Sequence, residues 1–100
     1  MANRRPSSNS PVPSHARDVI AASVEHFPDH PLDIEFRGRN CYVRHAGDPL
    51  CRLGYIGVGR EWDFAVYRYS TGAYRSLELA PARDTPENCI RTALGVYDLL

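Results

Sequence analysis

The sequence predicts an α+β domain in which five antiparallel strands lie between two helices. Three observations carry this prediction: apolar residues at helical spacing near both ends of the chain, alternating apolar and polar residues between them, and turn-forming residues after each alternating segment. A meander sheet buries one face and both amphipathic helices need a surface to cover, so we expect both helices on the same face. A length of 100 residues accommodates one such domain.

The chain begins with a segment that offers little to a core. Residues 1–13 contain three prolines and few apolar side chains, which predicts a disordered tail, followed by a single domain over residues 14–100. Ala16, Ile20 and Phe27 then recur at helical spacing. With Ser14 as N-cap and a proline at position 28, the first helix is expected over residues 14–27.

The next two segments predict a β-hairpin closed by Gly38 and Arg39. Apolar residues alternate with charged ones through both segments, and a two-residue turn brings the apolar faces together. In this register opposite charges also meet, and Gly38 takes the positive φ that a type II′ turn requires. The expected pairs are Phe36 with Cys41, Ile34 with Val43 and Asp33 with Arg44.

Two further strands are expected after the turn at residues 46–49. The third, residues 50–56, places Cys51 and Leu53 opposite Val43 and Cys41 only if the connecting loop has an odd length. The fourth, residues 61–70, is apolar on both sides and is therefore expected in the interior of the sheet.

The last hairpin leaves two registers open. A two-residue loop at Thr71 and Gly72 would pair Val66 with Leu77 and Phe64 with Leu79, whereas a glycine-bulge loop would shift the fifth strand, residues 74–79, by one residue. The final helix is expected to begin after Thr85 as N-cap, with a proline in its first position, and to end near residue 99.

Charge and composition exclude several classes of function. All 12 basic residues are arginine, matched by 12 acidic residues, so the chain has no lysine for Schiff-base chemistry and no net charge to favour nucleic acid or an anionic membrane. No apolar run is long enough to span a bilayer, and no hydrophobic stretch follows the N-terminal arginines. Three cysteines, an odd number, favour free thiols and a cytoplasmic location.

No group of residues forms a convincing catalytic or metal site. Cys41 and His45 lie about 13 Å apart on a strand, too far to share one tetrahedral ion with Cys51. Cys89 has no expected cationic neighbour to activate it. Gly57-x-Gly59 leads into a strand and lacks the third glycine of a dinucleotide-binding loop. We therefore expect no enzyme activity, no metal and no cofactor.

The face of the sheet opposite the helices carries the candidate binding surface. Tyrosine and arginine alternate there, a composition shared by base-stacking platforms and by protein interfaces. The acids of this face outnumber its arginines by one, which argues against nucleic acid and favours a protein partner, with a second copy of the chain as the simplest one. The alternative is a binder of single-stranded nucleic acid or a small aromatic ligand, and a third interpretation is a solvated face whose tyrosines only cover their neighbours. The residues are Tyr42, Arg44, Arg52, Tyr67, Tyr69 and Tyr74.

Two resemblances bear on function. The run Leu-Cys-Arg-Leu-Gly-Tyr-Ile-Gly from Leu50, followed by Trp-Asp-Phe-Ala-Val-Tyr-Arg-Tyr-Ser and by Thr-Pro-Glu from Thr85, resembles a pattern in small uncharacterised bacterial proteins, which implies no particular activity. The element order is similar to that of double-stranded-RNA-binding domains. Because the second helix lacks a basic cluster at its start, the sequence argues against that function.

Overall fold

The structure, a computed structural model, describes residues 12–78 and 80–100. Its elements follow the predicted helix, strands, helix order, with one short strand added: α1 Ser14–Val24, β1 Leu32–Arg37, β2 Asn40–His45, β3 Asp48–Tyr55, β4 Trp62–Arg68, β5 Ala73–Arg75, β6 Arg83–Asp84 and α2 Pro86–Val96. Strands β1 to β5 are neighbours in chain order, and all pairs are antiparallel. The α+β meander is therefore confirmed.

The β1–β2 hairpin has the predicted register. Gly38 has a φ of +58° and no positive φ occurs at Arg39, as a type II′ turn requires. Arg37 and Asn40, which flank this turn, form a hydrogen-bonded pair. The charged residues of β1 therefore direct their backbone N–H and C=O groups towards β2, and the apolar residues direct theirs outwards. The pairs are Phe36 with Cys41, Ile34 with Val43 and Asp33 with Arg44.

The β2–β3 connection brings the predicted apolar residues together by a different route. Val43 lies opposite Cys51 and Cys41 opposite Leu53. The turn itself has two residues and not the odd number that was predicted. A bulge at Leu50, which has no partner in β2, shifts the pairing by one residue and so brings the apolar residues opposite one another.

The prediction that β3 begins at Leu50 is wrong, because the strand begins two residues earlier. Ala46 and Gly47 both have positive φ, which closes the turn in two residues and lets Asp48 and Pro49 join the strand. The bulge also turns both Leu50 and Cys51 into the core, where they are 2% and 0% exposed.

Neither predicted register of the last hairpin is correct. Val66 pairs with Arg75 and Tyr67 with Tyr74, because the loop spans four residues, 69–72. Strand β5 ends at Arg75, so Leu77 lies beyond it, and Leu79 is outside the described residues. Strand β4 is interior as predicted, because β3 pairs with one of its edges and both β5 and β6 pair with the other. Strand β6 pairs with the first two residues of β4.

Both helices are shorter than predicted. Helix α1 ends at Val24, and Phe27 packs into the core from the turn that follows. Pro13, not Ser14, occupies the cap position of α1, without a capping side chain. Thr85 caps α2 as predicted, its hydroxyl accepting a hydrogen bond from the Asn88 backbone nitrogen.

The hydrophobic core lies between the two helices and one face of the sheet, as the sequence predicts. Ile20 of α1, Ile90 and Leu94 of α2, and Val43 and Leu53 of the sheet are all 0% exposed within one cluster. The apolar residues of β1 are only half-buried at the margin of that cluster. Val12, from the segment predicted as a tail, is 1% exposed in the core, and residues 1–11 are outside the described residues. Among the described helices, none is long and apolar enough to cross a membrane.

Candidate functional site

The candidate surface is built by strand alternation on the side of the sheet that faces away from the helices. Tyr42 lies opposite Arg52, and Tyr67 lies opposite Tyr74. The neighbours of Tyr42 and Arg52 in sequence, and Val66 before Tyr67, are buried in the core, so these three side chains point outwards, and Tyr74 lies on the same side because it pairs with Tyr67. Arg37, Arg44 and Tyr69 lie at the margins. We call these seven residues the tyrosine–arginine face.

The tyrosines of this face contact one another in a continuous row. The ring centroids of Tyr42 and Tyr74 are 5.6 Å apart, those of Tyr74 and Tyr67 are 5.0 Å apart, and those of Tyr67 and Tyr69 are 4.8 Å apart. All three contacts are edge-to-face, the geometry in which the positive edge of one ring meets the negative face of the next. Each such pair contributes about 0.5–1.5 kcal/mol beyond the area it buries, so the contacts favour this arrangement of the rings.

The rings lie across the sheet and do not stand upright on it. Tyr42 and Tyr74 belong to β2 and β5, which are separated by two strands, yet their rings touch. Ala65, which lies between them on β4 and pairs with Arg52, is only 7% exposed although it faces outwards. Larger side chains of the face, Arg52 among them, therefore cover this small residue.

Two arginines contact the row, one at its Tyr42 end and one at Tyr74 in its middle. The guanidinium carbon of Arg37 lies 4.5 Å from the ring centroid of Tyr42, and that of Arg52 lies 5.2 Å from the ring centroid of Tyr74. Both distances are within the range of cation–π attraction. Within the described residues Arg52 forms no ion pair, so its charge is available to a partner.

Arg44 is engaged by acids of the neighbouring strand. It donates hydrogen bonds to Asp33 at 2.9 Å and to Glu35 at 3.0 Å, and these bonds raise its pKa. Glu35 also pairs with Arg37 at 3.7 Å. The basic charge that the sequence places on this side of the face is therefore neutralised by β1.

Tyr69 anchors the margin of the row. Its hydroxyl donates a 2.6 Å hydrogen bond to the backbone carbonyl of Pro49, and its ring lies 5.7 Å from that of Tyr97 at the end of α2. Partial loss of solvent and the carboxylate of Asp48 raise the pKa of Tyr69, and burial raises that of Tyr74. Both phenols are thus neutral hydrogen-bond donors at physiological pH.

Four of the six site residues predicted from the sequence contact one another, and the other two lie at the margins of the face. Tyr42, Arg52, Tyr67 and Tyr74 form the contiguous centre, Tyr69 is 54% exposed at one margin, and Arg44 is bound to acids at the other. These neighbour contacts also fit the interpretation that the tyrosines cover a solvated sheet.

The cysteine and histidine residues do not assemble into a reactive centre. Burial raises the pKa of Cys41 and Cys89 to about 12 and raises that of Cys51 as well, which keeps the three free thiols protonated. His45 contacts His30 instead, with Nε2 3.2 Å from Nδ1. Among residues 12–78 and 80–100, no three side chains are arranged to hold a metal ion.

A cleft on the opposite side of the sheet was not predicted. It encloses about 580 Å³ between α1, the loop of residues 56–61 and the start of α2. Ala16 and Val19 form one wall, Tyr55 and Trp62 another, and Arg60 lies at the mouth. Because the lining comes from distant parts of the chain, no local motif indicates it.

Comparison of the chain with protein-family models, with curated proteins and with solved structures found no match.

Proposed function

We propose that this protein is a small, non-enzymatic interaction domain that binds another protein through the tyrosine–arginine face. The observation that carries the proposal is the continuous row of four tyrosines, fixed by edge-to-face contacts and flanked by arginines on a rigid sheet. Tyrosine and arginine dominate the energetics of protein interfaces because they bury large areas and keep polar groups at their tips. A preformed row also loses little side-chain entropy on binding.

The charge arrangement favours protein over nucleic acid. A phosphate chain gains affinity from unpaired cations, and here Arg44 is bound to two carboxylates while Arg37 contacts one. The ring edges and faces of Tyr67 and Tyr74 are also occupied by neighbouring tyrosines, which leaves less ring surface for stacked bases. A protein partner requires neither free cations nor unstacked rings.

A second copy of the chain is the simplest partner. A two-fold axis through the face would bring each tyrosine row against the other, so that one surface supplies both halves of the interface. The proposed location is the cytoplasm, which agrees with three buried thiols that remain free.

Sedimentation of the wild type, of Arg52→Glu and of Tyr67→Ala over a range of concentrations tests the proposal. We expect a wild-type dimer and a weakened dimer in both variants; Arg52→Glu reverses a charge on the face without removing core volume. Val96→Ser on α2, exposed and away from the face, is the control and should match the wild type. A wild type that stays monomeric at high micromolar concentration contradicts self-association.

A titration with mixed oligonucleotides at low salt forms the second arm. The proposal predicts no binding, because the face holds little unpaired positive charge. Oligonucleotide binding that weakens in Arg52→Glu would replace the protein partner with single-stranded nucleic acid.

A further inference from the structure

The cleft is lined by apolar side chains from α1 and the sheet and by polar and charged ones that include His15, Arg60 and Glu61. Its volume of about 580 Å³ falls within the range of small-molecule sites, roughly 300–1,000 Å³. It lies on the helix side of the sheet, whereas the tyrosine–arginine face lies on the other side, so the two surfaces are independent of each other.

The walls of the cleft leave apolar surface open to water. Val19 is 48% exposed although it lies on the side of α1 that lines the cleft, and Ala16 sits one turn before it. On the sheet side the open part of the wall is the half-buried Tyr55; Trp62, only 3% exposed, packs edge-to-face against it with ring centroids 5.2 Å apart. An aliphatic wall facing an aromatic one is a suitable environment for an apolar side chain or ring.

The loop beside the cleft is held in an arched shape by two glycines. Gly57 and Gly59 have φ of +75° and +64°, a region that other residues rarely adopt. Val58 lies between them at the tip and is 72% exposed. The arch places the next two residues, Arg60 and Glu61, in the lining of the cleft.

Arg60 and Glu61 are a cation and a carboxylate that no neighbour neutralises. Within the described residues neither takes part in an ion pair, whereas Glu87, also in the lining, is bound by Arg91 at 2.8 Å. That hydrogen bond lowers the pKa of Glu87. The charges available to a ligand are therefore one positive and one negative, side by side.

We propose that the cleft binds a free amino acid with a large apolar side chain. Its carboxylate pairs with Arg60, its ammonium group pairs with Glu61, and its side chain packs between Val19 and Tyr55. A zwitterion with an apolar body satisfies both charges and covers both walls, whereas a molecule with a single charge leaves one of the two side chains unpaired. Guanidinium and carboxylate groups are well suited to this, because charge-assisted hydrogen bonds are the stronger ones.

Fluorescence titration with L-phenylalanine tests the site, because Trp62 is the only tryptophan and lies in the cleft wall. We expect a saturable change in its emission with half-saturation at about 1 mM or below. N-acetyl-L-phenylalanine lacks the ammonium charge and L-phenylalaninamide lacks the carboxylate, so each should bind at least about tenfold more weakly.

Variants assign each charge to its partner. Arg60→Gln should weaken the binding of L-phenylalanine at least about fivefold and leave the binding of L-phenylalaninamide unchanged. Glu61→Gln should weaken the binding of L-phenylalanine by the same factor and leave the binding of N-acetyl-L-phenylalanine unchanged. Arg68→Gln, a change at an exposed arginine outside the cleft lining, is the control. An unchanged emission up to about 20 mM L-phenylalanine, equal titrations by the three compounds, or full binding by Arg60→Gln would overturn the proposal. Because these readouts do not involve the tyrosine–arginine face, their failure leaves the proposed interaction function unaffected.

Discussion

At the scale of single residues, Gly54 occupies a point in the sheet where two neighbouring strands leave little room. A Cβ atom at this position would lie 3.3 Å from Asn40 Oδ1 and 3.3 Å from Asp63 Cβ. The asparagine amide can rotate away, but the Asp63 Cβ is fixed by the backbone of β4. The glycine therefore allows close pairing of three adjacent strands.

Gly54→Ala is accordingly expected to destabilise the fold by about 1–2 kcal/mol, the cost of a crowded contact. The matched control is Gly95→Ala in α2, where the new Cβ has only an ordinary 3.8 Å contact with Leu100. That change should stabilise by up to about 0.5–1 kcal/mol because alanine is the better helix former. Urea unfolding midpoints measure both, and an unchanged midpoint for Gly54→Ala would show that the strands have room to separate.

The three buried thiols predict a loss of stability in alkaline solution. Burial raises the pKa of Cys41 and Cys89 to about 12, against an ordinary value of 9.0. Between these values the unfolded chain loses its thiol protons while the folded chain keeps them, so the free energy of unfolding falls as pH rises from about 9 to 12. Below pH 9 both states are protonated and the contribution is constant.

Denaturant midpoints measured from pH 8 upwards test this slope. Cys89→Ala is the matched control, because it removes one thiol without adding a charge. Its midpoint should fall less steeply than that of the wild type over the same interval. Parallel curves would mean that Cys89 does not titrate differently in the two states.

At the scale of the elements, adjacent residues of β1 direct their backbone N–H groups to opposite sides of the strand. The β1–β2 pairing directs the N–H of Glu35 towards Tyr42 and that of Ile34 outwards, where the described residues supply no partner strand. The charged side chains of β1 alternate with its apolar ones, which discourages this free edge from pairing with other chains.

Proline scanning tests that direction. Ile34→Pro removes an N–H that has no strand partner, whereas Glu35→Pro removes a ladder hydrogen bond and leaves a carbonyl on β2 unpaired. Because Ile34 packs against the core and Glu35 forms ion pairs, each proline variant is compared with the alanine variant of the same residue. On that basis we expect Glu35→Pro to lose about 1–3 kcal/mol more than Ile34→Pro in urea unfolding. Equal loss relative to the two alanine variants would contradict the assigned register.

The same elements show how far the sequence predicts the fold. The β1–β2 register follows from alternation and charge alone, because Phe36, Ile34 and Asp33 each have only one favourable partner. The β4–β5 register does not, because a shift of two residues keeps every side chain on its face. Strand β6 has two residues, too few to show any alternation. Before β3, a two-residue turn followed by a one-residue bulge gives the same pairing as a loop of odd length. The sequence therefore predicts the apolar pairs correctly, but it does not show that a bulge produces them.

At the scale of the whole molecule, the candidate surfaces differ in how far they could be predicted. The tyrosine–arginine face follows from strand alternation, which assigns Tyr42, Arg52 and Tyr67 to one side of the sheet. The engagement of Arg44 by both acids of β1 depends on side-chain reach across the hairpin. The cleft depends on the packing of α1 against a loop more than 30 residues away, which no local pattern records.

The central claim is that the tyrosine–arginine face is the contact surface of the protein. The most direct measurement compares backbone amide NMR shifts of the wild type at dilute and concentrated conditions, over about 20 µM to 1 mM. We predict concentration-dependent shifts centred on Tyr42, Arg52, Tyr67 and Tyr74, and their disappearance in Arg52→Glu. Shifts confined to the free edge of β1 or to the helices, or no shifts at all, would contradict the account.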